Sequence, residues 1–191
     1  MVRDRAAWRR WLTAHHAAST EAWLVLARRG TTRPTSLSYD DALLEALCFG
    51  WIDGQLRKRD ETTFLRRFTP RRPRGSWSAR NVALVEELRA EGLMQPAGEA
   101  EVVRAVADGR WDAAYQGAAT IELPADLAAA IAASPAAQRM FDNLTSTNRY
   151  AIIFRTTQAR APETRARRIN GFVEMLERGE TIYPQKRAPG R

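Results

Sequence analysis

The stretch from residue 47 to residue 81 constrains the fold of this chain most strongly. Gly50 ends an apolar helical pattern, as glycine often does at the end of a helix. Two strand-like runs follow, 51–59 and 62–69, with Asp60 and Glu61 as a tight turn between them, which predicts a β-hairpin. The proline-rich loop 70–75 then leads into a helix that begins near Ser78.

Alternation along the two strands predicts which side chains share a face of the hairpin. In the first strand the expected faces are Ile52, Gly54 and Leu56 against Trp51, Asp53, Gln55 and Arg57. In the second strand they are Phe64, Arg66 and Phe68 against Leu65 and Arg67. Each face of the return strand therefore carries an arginine among apolar side chains. Such an arginine needs a partner, and Asp53 is the candidate counter-ion.

The remaining patterns predict an α+β fold. The apolar run 22–27 adds a strand to the hairpin, which gives a small antiparallel sheet of about three strands packed with helices in the N-terminal half. The C-terminal half is expected to be entirely helical, with prolines at helix starts near residues 124, 135 and 162. The predicted domains are 1–115 and 120–180, and 184–191 is predicted to be a disordered tail.

Positive charge is concentrated in the same hairpin and loop. The chain has 30 basic and 22 acidic residues and a net charge of +8. Residues 55–80 alone carry nine basic and two acidic residues, a net charge of +7, whereas 81–154 carry five and ten, a net charge of −5. A focused positive patch attracts anions. Nearly all the basic residues are arginine, so a GC-rich coding bias is an alternative source of the excess.

The hairpin, the loop and the start of the next helix together predict an anion-binding site. Tryptophan and phenylalanine offer stacking surfaces, arginine offers charge, and the first turn of a helix offers free N–H groups. The candidate residues are Trp51, Asp53, Arg66, Arg67, Phe68, Arg71, Ser76, Trp77, Ser78 and Asn81. In the alternative interpretation both tryptophans are core residues and the arginines form a solvated edge.

Two kinds of anion suit these residues, an anionic small molecule and nucleic acid, since interleaved basic and aromatic residues also suit single strands. A further possibility is a protein-interaction surface at a secondary basic cluster, defined as Arg160, Arg165 and Arg168.

The sequence favours a binding module over an enzyme. It contains no phosphate-binding glycine loop of the Walker type and no nucleophile elbow. In the enzymatic alternative Asp53 acts as an acid or base beside an arginine clamp. In the structural interpretation of the same residue, Asp53 forms a salt bridge with Arg66 or Arg67. No cofactor is predicted. No metal site is predicted either, because the chain has a single cysteine and its two histidines are adjacent.

The expected location is the cytoplasm. No apolar run approaches the roughly 20 residues of a membrane-spanning helix. The N-terminus has a basic start without the apolar segment of a secretory signal.

Several motifs resemble the YdeI/OmpD-associated family, whose members are also called bacteriocin-protection proteins. They are Trp-Leu-Thr-Ala-His-His at 11–16, Ala-Leu-Cys-Phe-Gly-Trp-Ile-Asp-Gly at 46–54, Arg-Phe-Thr-Pro-Arg at 67–71, Ser-Trp-Ser-Ala-Arg-Asn at 76–81 and Thr-Arg-Ala-Arg-Arg-Ile at 164–169. The resemblance extends over roughly residues 5–184 and implies a bacterial protein with an α+β N-terminal part and a helical C-terminal part. It also implies a link to stress or antimicrobial-peptide resistance.

Overall fold

The computed structural model describes residues 1–118 and 120–185. In first-to-last order the elements are α1 (Arg5–His15), β1 (Ala22–Ala27), α2 (Tyr39–Cys48), β2 (Trp51–Lys58), β3 (Thr63–Pro70), α3 (Ala79–Ala90), α4 (Pro96–Ala107), α5 (Ala125–Ala132), α6 (Pro135–Asp142), α7 (Ser146–Thr157) and α8 (Pro162–Glu177). The chain divides into two compact units, the first ending at Ala114 and the second beginning at Tyr115. The predicted α+β fold is confirmed: the three strands lie in the N-terminal half, and α5–α8 make the C-terminal half helical.

Short polar side chains cap the starts of α2 and α3. The hydroxyl of Ser38 accepts from the backbone N–H of Asp41 at 3.1 Å, and Ser78 accepts from Asn81 at 3.2 Å. These contacts satisfy N–H groups that have no partner within the helix. Gly50 has a φ of 73°, which is unfavourable for other residues and allows the chain to turn directly from α2 into β2.

The three strands form an antiparallel sheet in the order β1-β3-β2. The turn between β2 and β3 is held by the carboxylate of Asp60, which accepts from the hydroxyl of Thr63 at 2.8 Å and from the backbone N–H groups of Thr62 and Thr63 at 2.9 and 2.7 Å. These hydrogen bonds, that of the Thr63 hydroxyl first, lower the pKa of Asp60 to about 2.

The two faces of the sheet differ in burial. The inner face carries Leu24, Leu26, Trp51 and Phe68, which form one core with residues of α1 and α2 such as Trp8 and Leu43. The outer face carries Trp23, Val25, Ile52, Leu65, Arg67 and Thr69, all half-buried.

The second unit has its own core, which residues of α5, α6, α7 and α8 form together. Its most buried members include Leu127, Ile131, Ile152 and Leu176. Among the described residues, no helix has the length and apolar character needed to cross a membrane.

The segment after α8 is fastened to the start of α7. The buried Asn148 donates to the carbonyl of Tyr183 at 3.0 Å and accepts from its N–H at 2.8 Å. Gln185, which belongs to the predicted tail, accepts from Asn148 at 2.8 Å and donates to the carbonyl of Asn143 at 3.2 Å. Residues 186–191 of that tail lie outside the described part of the chain.

Candidate functional site

A β-bulge at Gly54 and Gln55 decides which side chains reach each face of the sheet. Asp53 pairs with Phe68 and Leu56 pairs with Arg66, so two residues of β2 lie opposite one of β3. The predicted faces of β3 are confirmed. The predicted alternation in β2 is wrong beyond the bulge: Leu56 shares the inner face with Asp53, and Arg57 shares the outer face with Ile52.

A groove lies where the outer face of the sheet meets the loop 71–76. It has a volume of about 570 Å³. Its lining residues are Thr20, Ile52, Gly54, Gln55, Arg67, Thr69, Pro70, Arg71, Arg72, Pro73, Gly75 and Ser76. The described lining thus contains three arginines and no aspartate or glutamate, which gives the groove a positive potential.

The loop that forms one wall is held by hydrogen bonds from two guanidinium groups. Arg71 is only 6% exposed, lies 3.4 Å above the ring centroid of Trp77 and donates to the carbonyl of Ser76 at 3.3 Å. Arg110 donates to the carbonyl of Gly75 at 2.9 Å. In a trans peptide the N–H points away from the preceding C=O. The N–H groups of Ser76 and Trp77 are therefore directed away from these two guanidinium groups.

The other two arginines of the groove differ in their partners. Arg67 is bound to Glu21, with Nε and Nη2 lying 2.7 and 2.6 Å from the same carboxylate oxygen. The exposed guanidinium of Arg72 makes no ion pair with any described residue. Arg72 is therefore the exposed arginine of the groove that no described carboxylate compensates.

The aromatic residues chosen from the sequence do not line the groove. Trp51, Phe68 and Trp77 are 1%, 0% and 1% exposed. Trp51 packs edge-on against Trp8 and donates from its indole nitrogen to the carbonyl of His16 at 3.2 Å. These rings have no free surface for a ligand to stack on, which agrees with the alternative interpretation that they are core residues.

Asp53 and Arg66 face the core and not the groove. They form an ion pair on the inner face, and the hydroxyl of Tyr39 donates to the same Asp53 oxygen at 3.1 Å. Burial first, and the negative charge of Asp53 second, raise the pKa of Tyr39. This ion pair is one of the two salt bridges that the structural interpretation of Asp53 named.

Of the remaining candidates, the structure brings Arg67, Arg71 and Ser76 together in the groove. Ser78 and Asn81 are instead joined by the cap at the start of α3 and lie outside the described lining. Sequence reasoning missed Arg72, although it stands in the same Pro-Arg-Arg-Pro-Arg-Gly run. Trp23, on the outer face but outside the described lining, has the guanidinium of Arg57 4.3 Å from its ring centroid.

The secondary basic cluster belongs to the second unit. Arg165 forms hydrogen bonds to both carboxylate oxygens of Asp126 at 2.6 and 2.8 Å and lowers the pKa of that carboxyl to about 2. It also donates to the carbonyl of Thr156 at 3.1 Å, and Arg168 donates to the carbonyl of Arg155. Two members of the cluster therefore close the C-terminal end of α7, whereas Arg160 is exposed.

Comparison with known families gives two matches that follow one another along the chain. Residues 1–101 match the family described as Domain of unknown function (DUF8412). Residues 120–179 match the family described as Bacteriocin-protection, YdeI or OmpD-Associated, and this range contains the Thr-Arg-Ala-Arg-Arg-Ile motif. The other four motifs of the resemblance fall within the first match.

No curated protein and no solved structure matches the chain. The groove lies within the range of the first family and the secondary basic cluster within that of the second. The chain therefore belongs to the DUF8412 family, whose model matches residues 1–101, and its residues 120–179 are similar to the bacteriocin-protection, YdeI or OmpD-associated family.

Proposed function

We propose that the first unit is a non-catalytic binding module for a small anion, which it holds in the groove between the outer sheet face and the loop 71–76. The observation that carries this proposal is the lining of three arginines without a carboxylate among the described residues. The volume of about 570 Å³ falls within the range of about 300–1,000 Å³ typical of small-molecule sites.

Each arginine has a distinct part in the proposed binding. Arg72 supplies the main charge-assisted hydrogen bonds, because its guanidinium is exposed and has no acidic partner among the described residues. Arg67 contributes less, since Glu21 already compensates its charge. Arg71 holds the loop through the ring of Trp77 and the carbonyl of Ser76. The hydroxyls of Thr69 and Ser76 supply neutral hydrogen bonds.

The proposal assigns Asp53 a structural role. Its carboxylate lies on the inner face and is shared by Arg66 and Tyr39, so it is separated by the sheet from the anion that it would have to serve as an acid or base. We connect the binding role with stress or antimicrobial-peptide resistance because the description of the second matched family names bacteriocin protection.

The test compares two arginines of one loop. Arg72 lines the groove and Arg74 does not, so Arg72→Gln and Arg74→Gln change the net charge equally. With inorganic pyrophosphate as the probe, measured by calorimetry, we expect Arg72→Gln to weaken binding by at least tenfold, since a hydrogen bond to a charged group contributes about 1.5–3 kcal/mol. Arg74→Gln should remain within about twofold of the wild type.

Equal losses in both variants would show general attraction by surface charge and would overturn the proposal. A salt titration with a single-stranded oligonucleotide distinguishes nucleic acid from an anionic small molecule as the partner. If the groove is part of a nucleic-acid surface, log K should fall with log salt by about 0.7 for each phosphate neutralised. A compact anion in a single groove should show a shallow slope.

A further inference from the structure

The second unit contains a pocket at the start of α7. Its volume is about 310 Å³, and it is lined by Ala118, Ile121, Leu144, Ser146, Arg149, Tyr150 and Ile153. This volume lies at the lower end of the range of about 300–1,000 Å³ for small-molecule sites, so the pocket suits a small ligand. All of its lining residues belong to the second unit, which makes it independent of the groove.

The inner wall of the pocket is apolar. Leu144 and Ile153 are buried members of the core of the second unit, and Ile121 packs against that core. Beside them the ring of Tyr150 stacks on Phe154, with centroids 5.6 Å apart and planes inclined by 24°. Burial raises the pKa of Tyr150 above its ordinary value.

Arg149 supplies the charge at the rim. Its Nη2 donates to the carbonyls of Phe141 and Asp142 at 3.4 and 3.3 Å, which hold the guanidinium at the end of α6. Among the described residues, its Nε and Nη1 have no acceptor and no carboxylate pairs with it. The pocket beside Arg165 differs, because Asp126 compensates that arginine with two hydrogen bonds and also lines the cavity.

We infer that the pocket beside Arg149 binds a small monocarboxylate with an apolar tail. The planar carboxylate matches the guanidinium group of Arg149, and Ser146 and Tyr150 line the same pocket. The tail lies against Leu144 and Ile153, where it removes apolar surface from water. A bare phosphate suits this pocket less well, since it would leave the apolar wall uncovered and meet a single arginine of the lining.

The first experiment varies the ligand and leaves the full chain unchanged. Hexanoate, hexanamide and acetate are titrated while ¹H–¹⁵N NMR spectra are recorded. We expect hexanoate to shift the amide signals of Ser146, Tyr150 and Ile153, and hexanamide and acetate each to bind at least about tenfold more weakly. If hexanamide binds as tightly as hexanoate, the pocket does not recognise the negative charge. If acetate binds as tightly as hexanoate, the apolar wall does not contribute to binding.

The second experiment varies the arginine. Arg149→Gln should weaken hexanoate binding at least about tenfold, whereas Arg139→Gln, a change of equal charge on α6 outside the described lining, should leave it unaltered. Arg149→Lys keeps the charge, and its affinity for hexanoate should lie between that of Arg149→Gln and that of Arg139→Gln. Unchanged affinity in a folded Arg149→Gln variant would overturn the inference. All six tryptophans lie in the first unit. A change in tryptophan fluorescence on adding hexanoate would therefore report binding to the first unit and not to this pocket.

Discussion

At the scale of single residues, the position of a charge relative to the sheet decides its role. The sequence offered Arg66 and Arg67 as partners of Asp53, and the structure selects Arg66 because it lies on the inner face with Asp53. Arg67 projects from the other face, where it pairs with Glu21 and lines the groove. Two adjacent arginines therefore serve stability and the proposed binding separately.

We expect Asp53→Asn to destabilise the protein without weakening anion binding. The amide cannot compensate the charge of Arg66, whose side chain is only 20% exposed, so the free energy of unfolding should fall by about 1.5–3 kcal/mol. Urea denaturation followed by tryptophan fluorescence measures this change, and pyrophosphate titration measures the binding. Loss of binding in a variant of unchanged stability would return Asp53 to the candidate site.

Asp40→Asn is the matched control. Asp40 also pairs with an arginine, Arg80, but their side chains are 75% and 58% exposed. Solvent screens such a pair, and we expect a change of less than about 1 kcal/mol.

The tryptophans show what the sequence could not decide at this scale. A tryptophan beside arginines is equally compatible with a stacking surface and with a core residue, because both environments favour a large ring. Burial depends on contacts across the fold, such as those of Trp51 with Trp8 and His16, and no pattern near residue 51 specifies them.

At the scale of elements, the helix ends and the hairpin could be predicted because their signals are local. Serine caps, first-turn prolines and Gly50 act on their immediate neighbours. The bulge at Gly54 and Gln55 could not be predicted, since it depends on the register of β2 against β3. The sequence named Arg67, Arg71 and Ser76 of the groove but not its other lining residues, because the groove combines residues of the outer face with a loop that follows β3.

One contact between elements depends on a single glycine. Gly98 lies on α4 where this helix crosses the end of α2. A Cβ atom built on Gly98 would lie 2.2 Å from the carbonyl oxygen of Cys48 and 2.9 Å from that of Leu47. The helices can approach this closely only because residue 98 has no side chain.

We therefore expect Gly98→Ala to destabilise the protein, although alanine is the better helix former. The usual gain of about 0.5–1 kcal/mol should be outweighed by overpacking, with a net loss of about 1–3 kcal/mol in urea denaturation. The matched control is Gly171→Ala in α8, where a Cβ atom would meet nothing within 4 Å. That variant should be more stable by about 0.5–1 kcal/mol. Equal signs in the two variants would contradict the proposed close contact.

At the scale of the whole molecule, the buried side chains fall into two sets. One set runs from Trp8 to Ala105 and the other from Leu127 to Leu176. The sequence predicted an α+β domain at 1–115 and a helical domain at 120–180. Along the chain, the boundary between the two compact units falls between Ala114 and Tyr115. Whether the units unfold separately remains a prediction, and the distribution of tryptophan makes it measurable.

Ile152→Ala should destabilise the second unit alone. Ile152 is fully buried in the core of that unit, and its truncation should lower the free energy of unfolding by about 2–5 kcal/mol. All six tryptophans lie before residue 115, so their fluorescence follows the first unit, whereas far-UV circular dichroism follows the helices of both. We expect Ile152→Ala to move only part of the dichroism transition to lower urea and to leave the fluorescence transition in place. Leu47→Ala, in the first core, should move the fluorescence transition together with the part of the dichroism transition that comes from the first unit. If Ile152→Ala shifts the fluorescence transition, or Leu47→Ala shifts the whole dichroism transition, the two cores unfold as one cooperative unit and the predicted division into domains is wrong.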